Sequence, residues 1–162
     1  CGGGWIGECD VATGGGWVMI SVSKAAELAD HVGDAVKSSE TVVIRDTMID
    51  AFNTISEDRQ WIHGAGAAPR IVPANLLISL IPRLLQNCIE VSVFSRCLTV
   101  KYENIRFKSP VVAGDTVGLS VVVTDVRARF DNTFVTATVT LFNVADEKEL
   151  LIAEVTDCYE AP

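Results

Sequence analysis

Two side chains able to move protons lie five residues apart, Asp58 and His63, in the stretch Ser56–Glu57–Asp58–Arg59–Gln60–Trp61–Ile62–His63. An imidazole takes up and releases protons near neutral pH. A carboxylate nearby can orient a water or fix the ring tautomer. At the end of a helix this separation lets both groups point into one cleft, provided the chain turns back. The same spacing also fits a surface aspartate and a satisfied loop histidine. The remaining histidine, His31, has only Asp30 and Asp34 for company and reads as a surface residue at a helix end. Two histidines exclude a three-histidine metal site, and no spacing supports a mixed one. No glycine-rich phosphate loop or dinucleotide fingerprint follows a strand, so no cofactor is expected.

A second chemical element is a helix start. Leu76, Leu77, Leu80, Ile81, Leu84, Leu85 and Cys88 recur at helical spacing and predict a deeply buried helix from about 73 to 87. Pro73 suits its first turn, and Pro82 inside should bend it. The first N–H groups of such a helix lack helical partners and carry partial positive charge. Pro73 cannot donate, so Ala74, Asn75 or Leu76 would have to supply any donors to a carbonyl oxygen that gains charge. A capped core helix with no further role fits the same residues.

The elements around these groups follow from periodicity. Ala25, Leu28 and Ala29 mark a short helical piece from Ser23 to His31, which Gly33 ends. Thr41 to Ile44 reads as a strand. Asp46 is a candidate N-cap for a helix from about 47 to 55, with Ile49, Phe52 and Ile55 on its buried side. Beyond about Ser95 the period changes to two. Residues 97–107 alternate in part. Val117, Leu119, Val121 and Val123 alternate cleanly, as do Val135, Ala137, Val139 and Leu141, and then Leu151, Ala153 and Val155. Short turns between these runs mean an antiparallel sheet. The fold class is therefore α+β, a single domain in which the sheet wraps around one long apolar helix. Seven glycines in the first twenty positions set residues 1–22 apart as a glycine-rich arm, leaving 23–162 as the folded domain.

Composition excludes several functions. Hydrophobic residues make up 49% and charged residues 21%, enough apolar material for a packed core. Thirteen Lys and Arg against 21 Asp and Glu give a formal charge of -8, the wrong sign for tracking phosphates along nucleic acid. The longest apolar run, Asn75 to Leu85, is interrupted by Pro82 and Arg83 and is too short to span a bilayer. Five cysteines form no C-x-x-C pair; Cys88 and Cys97 read as small buried hydrophobes, and reduced thiols fit a cytoplasmic protein.

The segments Asp50–Ala51–Phe52 and Asp58 to His63 resemble the MaoC-like hydratases, particularly their nodulation-protein-N-like dehydratase branch. So do Leu77–Ile78–Ser79–Leu80–Ile81–Pro82, Tyr102 to Phe107 and Ser109 to Asp115, in the same order. The resemblance covers about residues 24–159. It implies a hot-dog fold, a homodimer, and reversible water addition to an α,β-unsaturated acyl thioester carried on coenzyme A or an acyl carrier protein. It further implies that His63 moves the proton and Asp58 polarises the water. The helix start at Ala74 and Asn75 would hold the thioester oxygen, with Trp61 and Ser79 also expected against substrate. The chain departs from the pattern where Pro73–Ala74 replaces a His-Gly pair and Glu57 replaces a glycine. The loop from Gly64 to Val72 also lacks the usual acidic and Gly-Pro-Phe elements. Those departures leave open an enoyl double-bond isomerase or polyketide-type tailoring enzyme on the same fold, or a non-catalytic acyl-binding subunit. Arg59, Arg70, Lys101 and Lys108 are candidates to meet a phosphate-bearing carrier.

Overall fold

The computed structural model describes residues 19–162, so most of the expected glycine-rich arm lies outside the described residues. In chain order the elements are β1 (Ile20–Val22), a 3-10 helix (Ala25–His31), β2 (Ala35–Lys37), β3 (Val42–Val43), α1 (Asp46–Ser56), a second 3-10 turn (Trp61–His63) and α2 (Ala74–Leu85). The strands β4 (Ile89–Val91), β5 (Arg96–Phe107), β6 (Thr116–Arg129), β7 (Asn132–Asn143) and β8 (Glu149–Glu160) follow. The main sheet runs β2–β6–β7–β8–β5, antiparallel throughout, with β3 also paired to β6. A separate parallel pair joins β1 to β4. Ile20 and Val22, at the end of the expected arm, are thus a buried strand.

The alternating runs of β6, β7 and β8 put Val117, Leu119, Val121, Val123, Val135, Ala137, Val139, Leu141, Leu151, Ala153 and Val155 inside. α2 lays Leu76, Leu77, Leu80, Ile81 and Leu84 against them in one hydrophobic cluster. Each such side chain contributes about 1.5–3 kcal/mol by leaving water. Pro73 stands at the N-cap of α2, and Pro82 lies inside the helix.

Four local expectations are corrected. Residues 25–31 form a 3-10 helix, where three residues per turn align Ala25 with Leu28 and leave Ala29 exposed. In α1, Arg45 rather than Asp46 is the N-cap residue. Ile49 is buried, but Ile55 is 83% exposed, because a three-residue repeat drifts around a helix of about 3.6 residues per turn. Cys97 is exposed, since β5 is the edge of the sheet, whereas Cys88 is buried as expected.

β5 breaks period two for a physical reason. Its register against β8 shifts between Thr99 and Lys101, and again between Glu103 and Arg106, where Asn104 has φ 51°. Each extra residue re-phases the strand. Tyr102 and Phe107, five residues apart, therefore pair opposite the inward residues Val155 and Leu151.

The inward row of β8 continues past Val155 to Asp157. Burial pushes this carboxyl above the ordinary aspartate value, an effect only partly opposed by Thr99 across the strand pair. Folding thus raises the proton affinity of this carboxyl. That higher affinity contributes its full stability below the unfolded-state value and is lost as pH rises through the higher native one. Asp157→Asn is expected to melt above the parent at about pH 7, with the difference closing by about pH 3. Thermal unfolding of both chains across that range checks it; a variant less stable at neutral pH would contradict the direction.

Candidate active site

α1 ends at Ser56, and the next residue, Glu57, takes a left-handed conformation, φ 53° and ψ 26°. That conformation reverses the chain after a helix and is one glycine adopts without strain. Asp58 then starts a tight turn: its Oδ1 accepts the Gln60 N–H at 3.1 Å, and its own N–H donates to Ser56 Oγ at 3.3 Å. The 3-10 turn Trp61–His63 carries the chain back inward, so that His63 is buried. This turn-back brings the two groups together, with His63 Nε2 3.7 Å from Asp58 Oδ2. That separation is longer than a direct hydrogen bond.

The imidazole is held from behind. Its Nδ1 lies 2.7 Å from the carbonyl oxygen of Ile71. A carbonyl only accepts, so Nδ1 carries hydrogen and neutral His63 presents a free lone pair at Nε2, toward Asp58. The backbone is clamped as well. Arg70 is buried; its Nε donates to the His63 carbonyl at 2.9 Å, and Asn53 Nδ2 donates to the same oxygen at 3.2 Å. The two other arms of the guanidinium reach Asp46 Oδ1 at 2.9 Å and Asp50 Oδ1 at 2.5 Å. Asp50 first, then Asp46, hold the guanidinium further above its already high value. Arg70 was a candidate for a carrier phosphate; the structure instead spends all of its arms inside the protein, tying α1 to the His63 turn. Nothing in its spacing distinguished it from a surface arginine.

Asp58 and His63 line a cleft of about 510 Å³ with Pro73, Ala74, Asn75 and Phe107. The segment entering α2 is pinned on both sides: the Ile71 N–H donates to the Ile62 carbonyl, and the Val72 N–H to the Val111 carbonyl. Leu76 N–H is occupied by the Pro73 carbonyl at 3.0 Å. Among the described residues, the N–H groups of Ala74 and Asn75 meet no acceptor, leaving them as the donors at the cleft mouth.

Two other expected residues stand elsewhere. Trp61 is 80% exposed and does not line the cleft. Ser79 is absent from the lining too; its hydroxyl donates to the Leu76 carbonyl at 2.6 Å, within its own helix. Of the remaining cations considered, Lys108 lines the cleft and Lys101 pairs with Glu103 at 2.6 Å. Among the described residues no cluster of three or more His, Cys, Asp or Glu is placed to hold a metal ion. No helix among them is long and apolar enough to cross a membrane.

The family model described as "MaoC like domain" matches residues 27–145. No curated protein sequence matches the chain. Among solved structures, the chain is similar to the R-hydratase PhaJ1 from Pseudomonas aeruginosa. That pair shares 23% identity at a TM-score of 0.63, over 86% of this chain and 85% of that one. The (R)-hydratase from A. caviae involved in PHA biosynthesis shares 24% identity at a TM-score of 0.61, over 81% and 96%. The HadBC 3R-hydroxyacyl-ACP dehydratase complex from Mycobacterium tuberculosis shares 16% at 0.64, over 80% and 97%. These likenesses show the hot-dog fold.

Proposed function

Because the chain belongs to the MaoC-like domain family, we propose that it adds water to, or removes it from, an acyl thioester at the Asp58/His63 cleft. The observation that carries this reading is how His63 is held: with Nδ1 2.7 Å from the Ile71 carbonyl, which can only accept, Nε2 is left to face the acid across a gap of 3.7 Å, inside a cleft. A water held there donates one hydrogen to Asp58 Oδ2 and the other to His63 Nε2. In hydration its oxygen bonds to C3 of the enoyl thioester as Nε2 takes the proton. The imidazolium then gives that proton to C2, so no proton is gained overall. Dehydration is the reverse: Nε2 removes the C2 proton and delivers it to the leaving hydroxyl. Negative charge on the thioester oxygen between the two events falls to the Ala74 and Asn75 N–H groups and the positive end of α2. The carrier is coenzyme A or an acyl carrier protein, with Lys108 at the cleft available to its phosphate.

The relatives support this reading by their described activities, hydratase and dehydratase. Its test is turnover by the unaltered protein of crotonyl and longer enoyl thioesters, followed by loss of enoyl absorbance. In heavy water, incorporation of solvent deuterium into the acyl chain without water addition would point instead to isomerisation.

The second copy of a homodimer, in this reading, pairs along β5. That strand is an open edge of twelve residues, with Leu98, Val100, Ile105 and Phe107 between 36% and 51% exposed. An edge this long and apolar invites pairing. Light scattering is expected to give twice the chain mass, and Val100→Lys to shift it toward the single chain; a monomeric parent would refute the pairing.

A further inference from the structure

A second cavity, of about 440 Å³, opens along the same helix toward its C-terminal end and shares no lining residue with the Asp58/His63 cleft. Ile81, Pro82 and Leu85 of α2 form one wall, and the inward residues of β5 and β8 form the other. Four observations bear on what it would take. Asp157 stands at an inward strand position where its neighbours Val155, Ala153 and Leu151 are apolar. Its Oδ1 is buried and, among the described residues, has no hydrogen-bond partner. Phe94, Tyr102 and Tyr159 also line the space, and the Phe94 and Tyr159 rings meet edge to face at 90°, centroids 5.4 Å apart, forming an aromatic corner. Finally, among the described residues Glu90 is the only other Asp, Glu, Lys, Arg or His in the lining.

An unpartnered carboxylate oxygen in a half-apolar space is costly to keep. Thr99 reaches the carboxyl from across the strand pair, but among the described residues nothing meets Oδ1, and such local conflicts collect where a ligand supplies the missing partner. Two carboxylates without a basic neighbour repel an anion. A plain hydrocarbon would leave Oδ1 unpaired. A protonated amine donates to Oδ1 and lies against the electron-rich faces of the aromatic rings. We propose that this cavity is a second ligand site, and that it takes a small organic ammonium whose charged head meets Asp157 and whose apolar body packs between α2 and the aromatic corner. A cation there would also oppose the burial that lifts the Asp157 carboxyl.

The test is calorimetric titration of the full chain with benzylamine, benzyl alcohol and benzoate, probes of one shape and three charges. Benzylamine is expected to saturate, benzyl alcohol to bind at least about tenfold more weakly, and benzoate not to bind. Asp157→Asn is expected to weaken benzylamine at least about tenfold, while His63→Ala leaves it unchanged. Equal binding of the alcohol, saturable benzoate binding, absence of saturation by the amine, or undiminished binding by Asp157→Asn would each overturn the proposal. If that variant does not fold, the ranking of the three probes on the unaltered chain decides alone. None of these readouts involves turnover, so the ammonium site stands or falls apart from the proposed hydratase chemistry.

Discussion

His63→Ala is expected to lower kcat for hydration of a crotonyl thioester by at least about 100-fold, while KM changes by no more than a few-fold. The alanine removes the proton carrier but leaves the carbonyl-binding N–H groups of Ala74 and Asn75 and the cleft walls in place. Asp58→Asn is expected to give a loss of similar order. The amide keeps the size and can still accept the Gln60 N–H, but its second group offers no charge to hold the water. Because one water bridges both residues in this mechanism, the double variant should be only slightly worse than either single one. Steady-state kinetics of the four chains checks this. Wild-type rates in both single variants would end the hydratase reading, and rates that multiply would end the shared water.

The second large effect is expected at a residue that touches no substrate. Arg70→Met is expected to reduce kcat about 10–100-fold, since small displacements of a reacting group weaken catalysis that strongly. Removing the guanidinium leaves the His63 carbonyl with only the Asn53 amide and unties Asp46 and Asp50 from the turn. Asp46 and Asp50 are more than half exposed, so their ion pairs add little stability by themselves. The loss in stability is expected at about 1–3 kcal/mol, chiefly from the buried hydrogen bonds. Arg70→Lys should not restore the rate, because one ammonium cannot reach three acceptors in the planar fork that arginine spans. A role limited to folding would lower the melting temperature of both variants while leaving kcat per folded molecule intact; a positioning role lowers kcat at temperatures where both remain folded.

The parts of this architecture that were legible in the residues share one property: a regular repeat long enough to outlast local noise. β6, β7 and β8 each hold an alternating run, Val117 to Val123, Val135 to Leu141 and Leu151 to Val155, and α2 keeps its helical spacing across twelve residues, so these parts of the core were readable to the residue. β1, β2 and β4 are three residues long, too short for any period to register. β5 is long enough, but its two register shifts erase the alternation. The Asp58/His63 pair was visible as residue types, yet its convergence depends on Glu57 adopting a left-handed turn that its side chain does not announce. Arg70 was hidden for a different reason: its three acceptors are 24, 20 and seven residues away, on a helix and a turn that only the folded chain brings together. Asp157 did leave a signal, an acid falling on the inward beat of β8, which only matters once Leu151, Ala153 and Val155 are known to face the core.

The extra residue near Asn104 has a consequence for how such a protein can change. Without it, plain alternation from the Glu103–Glu154 pair would set Arg106, not Phe107, opposite Leu151 and swing a guanidinium into the chamber beside Asp58. Lineages that relocate this kink, rather than swap side chains, would convert a greasy doorway into a charged one in a single genetic step.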